Sequence, residues 1–92
     1  VADFYRTLIF SDTFLAALTG KDFTRKERKQ LLKALRLLDE NERHPSLRVH
    51  ELRGDLAGTW SVSASRELRI TFERTPDGDQ RRLLSCSHHY AG

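Results

Sequence analysis

Beyond residue 59 of this chain, apolar and polar side chains take turns. Trp60, Val62 and Ala64 alternate with Ser61, Ser63 and Ser65; Leu68, Ile70 and Phe72 alternate with Arg69, Thr71 and Glu73. Leu84, Cys86 and His88 then alternate with Ser85, Ser87 and His89. A period of two predicts strands with one buried and one open face, and therefore an antiparallel sheet. TPDG, residues 75–78, is a hairpin turn: proline sets the entry angle and glycine takes the left-handed position. GDLAG, residues 54–58, is a turn-rich connector before the first of these strands.

The first half keeps a different period. YRTLIF, residues 5–10, is a short apolar run that predicts a first strand. Ser11 or Asp12 can cap a short helix whose apolar positions are Phe14, Leu15, Ala17 and Leu18, with Gly20 as its stop. Thr24 with Glu27 three places on matches a capping box and opens a helix over 24–42. Leu31, Ala34, Leu35 and Leu38 form its apolar face, and Pro45 bars its continuation past His44. The expected fold is α+β: two N-terminal helices packed on one face of a mostly antiparallel four-stranded sheet, in a single domain over 1–92. The helices should cover Trp60, Val62, Leu68, Ile70, Phe72, Leu84 and Cys86. Ser61, Ser63, Arg69, Thr71, Ser85, Ser87 and His89 should share the other face.

Composition narrows the class. The 92 residues are 38% hydrophobic and 32% charged, a globular balance. Cys86 is the lone cysteine, so no internal disulfide can form. No apolar run approaches the roughly 20 residues that span a bilayer, and no basic-then-apolar leader is visible. These features point to a cytoplasmic protein with no membrane partner. The net charge is +3, and twelve of the sixteen basic residues are arginines. Arginine's planar fork suits phosphate recognition. A mild basic excess is nonetheless shared with many domains that never meet nucleic acid. Arg25, Lys26, Arg28, Lys29, Lys33 and Arg36 crowd the predicted long helix. That run reads first as a solvated surface and second as a docking face for nucleic acid or an acidic partner.

The residues able to carry chemistry are His50, Arg53, Arg69, His88, His89 and Tyr90. Two histidines and an arginine suffice for RNA cleavage without metal. One histidine takes the proton of a ribose 2′-hydroxyl, whose oxygen attacks the adjacent phosphorus. The other protonates the departing 5′-oxygen, and arginine steadies the charge on the phosphoryl oxygens. Tyrosine can stack on a base or reach a phosphate. Each residue also has a structural role open to it. His50 can hydrogen-bond a loop, and His88 faces the core side by parity. Tyr90 can pack the sheet end. Arg53 and Arg69 can pair with Glu51 and Glu67. A zinc site from His50, Cys86, His88 and His89 is disfavoured, because neighbouring strand residues point to opposite faces and no ligand spacing recurs.

The motifs HPSLRVHELRG, DLAGTWS, RELRITF and LLSCSHHY fall within residues 44–90. Together they resemble the RelE/ParE superfamily of type II toxins, in particular its YoeB-like and YafQ-like ribonuclease branches. The first half resembles it only in layout. The resemblance implies that Arg69 stabilises the transition state, that His89 is the general acid and that Tyr90 is the aromatic beside it. His50 falls where YoeB-like chains place a glutamate base, and Glu51 is the alternative base. Arg53 matches a basic residue before a glycine. Ser63 stands where YoeB-like chains carry an arginine, a departure that bears on phosphate grip. With His88, Arg53 and Ser63 complete the expected RNA-binding set. The implied activity is metal-independent and cofactor-free cleavage of mRNA, at the ribosomal A site. The implied partner is an antitoxin that wraps the toxin in a hetero-oligomer. Two other readings stay open: a ParE-like inhibitor of DNA gyrase, and a degenerate homologue that acts only as a binding module.

Overall fold

The computed structural model describes residues 5–89. Its order is β1 (Leu8–Phe10), α1 (Asp12–Thr19), α2 (Arg25–Glu40), β2 (His50–Glu51), β3 (Thr59–Ser63), β4 (Leu68–Arg74) and β5 (Arg81–His88). Both helices begin where the sequence offers a cap. The Ser11 hydroxyl accepts the Phe14 N–H, and Thr24 and Glu27 form a reciprocal capping box. The second helix stops at Glu40, short of the expected 42, with Asn41 as its C-cap.

The sheet has five strands in the order β1-β5-β4-β3-β2. The expected four-stranded sheet is therefore corrected to five, and it is mixed. β1 runs parallel to β5, while the other three pairings are antiparallel. The parallel pairing joins segments more than 70 residues apart, which alternation within a strand cannot reveal. β2 is only two residues long and supplies the far edge.

One core fills the space between helices and sheet. Phe14, Leu18, Leu31, Ala34, Leu35 and Leu38 from the helices meet Val62, Leu68, Ile70, Phe72, Leu83 and Cys86 from the strands. The expected Leu84 is replaced by Leu83, which is fully buried. The cause is a register shift between Thr71 and Phe72: Thr71 pairs with Ser85, but Phe72 pairs with Leu83. The extra residue, Leu84, reverses parity along the rest of β5. Trp60 is only partly buried, stacked on Phe72 at the rim with the Arg74 guanidinium 4.3 Å from its ring centre.

Acidic groups at the C-terminal end of α2 fasten the sheet. Asp39 accepts from the Tyr5 N–H, the Thr7 N–H and the Thr7 hydroxyl, at 2.7, 2.8 and 2.6 Å. Just beyond the helix, Glu42 accepts from both Nη atoms of Arg74 and from Nε of Arg81. The Arg74 hydrogen bonds outweigh desolvation and, with Arg81, hold the Glu42 carboxyl down at about 2. No helix among the described residues is long and apolar enough to cross a membrane.

Candidate functional site on the open face of the sheet

The face turned away from the helices is built from register. Ser63, Arg69 and Ser87 are partners across β3, β4 and β5. The next row on that face is His50, Ser61, Thr71 and Ser85, and the one after is Thr59, Glu73 and Arg82. Hydroxyl groups therefore pave the middle of the sheet, and Thr71 and Ser85 hydrogen-bond to each other across it. Such a floor offers donors and acceptors to a polar ligand, and its few charges stand above it.

Arg69 is the central charge. Its Nη1 donates to the main-chain carbonyls of Ser65, Leu68 and Arg66, at 2.8, 3.0 and 3.3 Å. Those carbonyls belong to the β3–β4 hairpin, so the guanidinium leans toward that end of the sheet. Among the described residues Arg69 has no carboxylate partner. The pair open to it with Glu67 does not form. Carbonyl dipoles orient the guanidinium without neutralising it, which leaves its charge for an anion.

His89 follows β5 and lies beside this group. Its N–H donates to the Glu67 carbonyl at 2.6 Å, which extends the β4–β5 register by one pair. His89 is exposed and stands diagonally across the strand pair from Arg69. Diagonal neighbours of this kind lie roughly 7–8 Å apart, within reach of an arginine and an imidazole that hold one ligand between them.

His50 shares the face but not the cluster. It lies two strands from Arg69 and in the adjacent row, roughly 12 Å away between Cα atoms by strand spacing and rise. Its Nδ1 is 2.9 Å from the Arg48 carbonyl. A carbonyl only accepts, so Nδ1 carries the proton, and in the neutral ring Nε2 keeps its lone pair and can act as a base. Glu51, the alternative base, points to the opposite side beside Trp60 and accepts from the Gly58 N–H at 3.0 Å. That bond also replaces the Arg53–Glu51 pair. Arg53 is exposed at the start of the turn Gly54–Leu56, beyond the end of β2.

Ser63 is brought directly alongside Arg69 as its register partner. His88 is not brought to this face, and its expected place among RNA-binding residues is corrected. It projects to the helix side, where Nε2 meets Glu27 Oε2 at 2.8 Å and the ring lies 5.1 Å from Phe23. Tyr90 lies outside the described residues. Cys86 is also on the helix side, and burial pushes its thiol up to about 11, so it is no ready nucleophile. Among the described residues no three histidine, cysteine, aspartate or glutamate side chains gather as a metal site. Ser87, exposed on the other flank of Arg69, was legible from alternation but carries no chemical signal of its own.

The fold is similar to that of solved toxins of the YoeB/ParE, RelBE2 and YafQ kind. Three solved structures illustrate the likeness. The YoeB/ParE toxin from Agrobacterium tumefaciens is 19% identical, with a TM-score of 0.71 over 91% of this chain and 99% of that one. The RelBE2 toxin–antitoxin complex from Mycobacterium tuberculosis is 19% identical, with a TM-score of 0.72 over 90% and 96%. YafQ from E. coli BL21(DE3) is 14% identical, with a TM-score of 0.71 over 89% and 91%. No family model matches the sequence, and no curated protein sequence matches it significantly.

Proposed function

We propose that the chain is the toxin of a type II toxin–antitoxin system and that it cleaves mRNA at the open face of its sheet. The observation that carries this reading is Arg69, oriented by hairpin carbonyls, lacking a carboxylate partner among the described residues, and diagonal to an exposed His89. In this reading a base, His50 through Nε2, takes the 2′-hydroxyl proton. O2′ bonds to phosphorus and the P–O5′ bond breaks. His89 gives its proton to O5′, and Arg69 bears the charge that builds on the phosphoryl oxygens. The products are a 2′,3′-cyclic phosphate and a free 5′-hydroxyl. Ser63 and Ser87 flank the phosphate, and Arg53 meets the RNA strand farther along. RNA supplies its own nucleophile, so no metal or cofactor is required. The partner is an antitoxin, in keeping with the RelBE2 complex of the same fold. The ribosomal A site is the setting in which mRNA is presented.

The test is purified protein with mRNA in excess chelator, with and without ribosomes. Cleavage that survives chelation supports the reading; intact RNA in both conditions, from protein shown to be folded, removes it. The roughly 12 Å between His50 and Arg69 favours one second reading, a non-cleaving inhibitor of DNA gyrase. Inhibition of supercoiling with mRNA left intact would select it.

A further inference from the structure

Glu27 and His88 meet on the helix side of the sheet, 61 residues apart in sequence. Glu27 belongs to the first turn of α2, and its two oxygens have separate duties. Oε1 accepts the Thr24 N–H at 2.8 Å, and Oε2 meets His88 Nε2 at 2.8 Å. Its own N–H is held by the Thr24 hydroxyl at 3.1 Å. The carboxylate is thus fixed by the capping box before it reaches the histidine. A carboxylate accepts only, so His88 donates from Nε2. The His88 ring also lies against Phe23, which is buried, with the planes tilted by 32°.

This contact falls at the last paired residue of β5. His88 is in register with Leu68, and the next residue is His89. The last residues of a strand open locally unless something ties them down. Here the backbone is tied by the His89 N–H to the Glu67 carbonyl, and the side chain of the preceding residue is tied to α2. Successive strand residues point to opposite faces, so anchoring His88 below fixes the direction in which His89 leaves above.

The geometry points to Glu27 and His88 as a latch that positions His89 beside Arg69; they are positioning residues, and the inference rests on the nuclease reading of the open face. The latch acts through one peptide link. Its loss lets the end of β5 move and the His89 ring sample several rotamers, so the acid is aligned in only a fraction of complexes. RNA binding, which rests on Arg69 and the hydroxyl floor, is kept.

The variants His88→Phe, His88→Gln and Arg74→Ala separate this role from plain stabilisation. H88F keeps a ring against Phe23 but loses the N–H, H88Q restores a donor, and R74A removes the tie to Glu42 at the other end of β4 without touching Glu27 or His88. Two properties are read on the full chain: rotamer averaging of the His89 ring by NMR, and kcat and KM for RNA cleavage. H88F is expected to convert His89 from one rotamer to an average and to lower kcat about 10–100-fold with KM nearly unchanged. H88Q should recover most of both, and R74A should lower Tm while leaving kcat unchanged. A His89 ring as ordered in H88F as in the wild type overturns the inference, as does an unchanged kcat in that variant. If the wild type cleaves no RNA, the nuclease reading falls. The latch is then decided by His89 averaging alone: averaging in H88F with recovery in H88Q upholds it, and an ordered ring overturns it.

Discussion

Arg69 and Arg74 lie on one strand, five residues apart, and the protein treats them in opposite ways. Arg74 is on the helix side. Both of its Nη atoms meet Glu42, at 2.9 and 2.6 Å, and its guanidinium lies over Trp60. Its charge is paired with a carboxylate that it shares with Arg81, its fork is filled and one face is covered. Arg69 is on the open side, tied by a single nitrogen to main-chain carbonyls, with no carboxylate at hand among the described residues. The contrast distinguishes an arginine that holds elements together from one held ready for a ligand. A carboxylate neutralises, whereas a carbonyl only aims. Arg82 falls between them: it shares the open side but meets Glu73 at 2.9 Å with both side chains well exposed.

Substitution should separate the three. Arg69→Ala is expected to have the largest effect and to act on chemistry: about a 10²–10³-fold loss of RNA cleavage, with the melting temperature nearly unchanged. Arg69→Lys keeps the charge without the fork and should recover only part of that rate. Arg74→Ala should do the reverse. Thermal or urea unfolding should show a loss of about 1.5–3 kcal/mol from the charged hydrogen bonds, while cleavage per folded molecule is retained. If Arg74→Ala removes cleavage without destabilising, or Arg69→Ala unfolds the sheet, the contrast is broken.

Acid should find the same difference. The Glu42 carboxyl is held at about 2 in the folded protein, below its ordinary 4.5. Its contribution is therefore complete above that ordinary value and is lost as pH falls from about 4.5 toward 2. Exposure screens the pair, so the loss should be about 1–2 kcal/mol, read by urea unfolding at neutral pH and near pH 2. Glu42→Gln should flatten that part of the profile, while Arg69→Ala should leave it in place. The smallest effect is expected from Arg82→Ala, about 0.2–1 kcal/mol, since the ion pair it breaks is exposed. A larger value would mean that the open face is more tightly braced than its contacts indicate.

The Arg69 side of this contrast was legible in the sequence, and the Arg74 side was not. Alternation through residues 68–73 put Arg69 opposite Ile70 and Phe72, and hence on the open face, and parity set His88 and His89 on opposite sides. The capping box and the helical core positions followed from local spacing. What could not be read was long-range or irregular. The extra residue at Leu84 exchanged one leucine for another in the core. The two-residue β2 added a strand to the expected sheet, and β1 pairs parallel to the distant β5. Parity gave His88 its face but not its partner, because Glu27 is matched to it only by the docking of α2. Likewise, Arg53 and Arg69 each had an acidic neighbour in sequence, yet neither ion pair forms. Glu51 is engaged by the Gly58 N–H, and Arg69 turns to the hairpin carbonyls. His50 shares the open face with Arg69, but its distance of two strands follows from the strand order, which local alternation does not give.

The most direct measurement is the end-group of RNA treated with the wild type and with His89→Gln, both confirmed as folded and both in excess chelator. The account predicts 2′,3′-cyclic phosphate ends from the wild type and at least about 10²-fold fewer from the variant. Equal yields of those ends from the two proteins, or none from the wild type with ribosomes present, would contradict it.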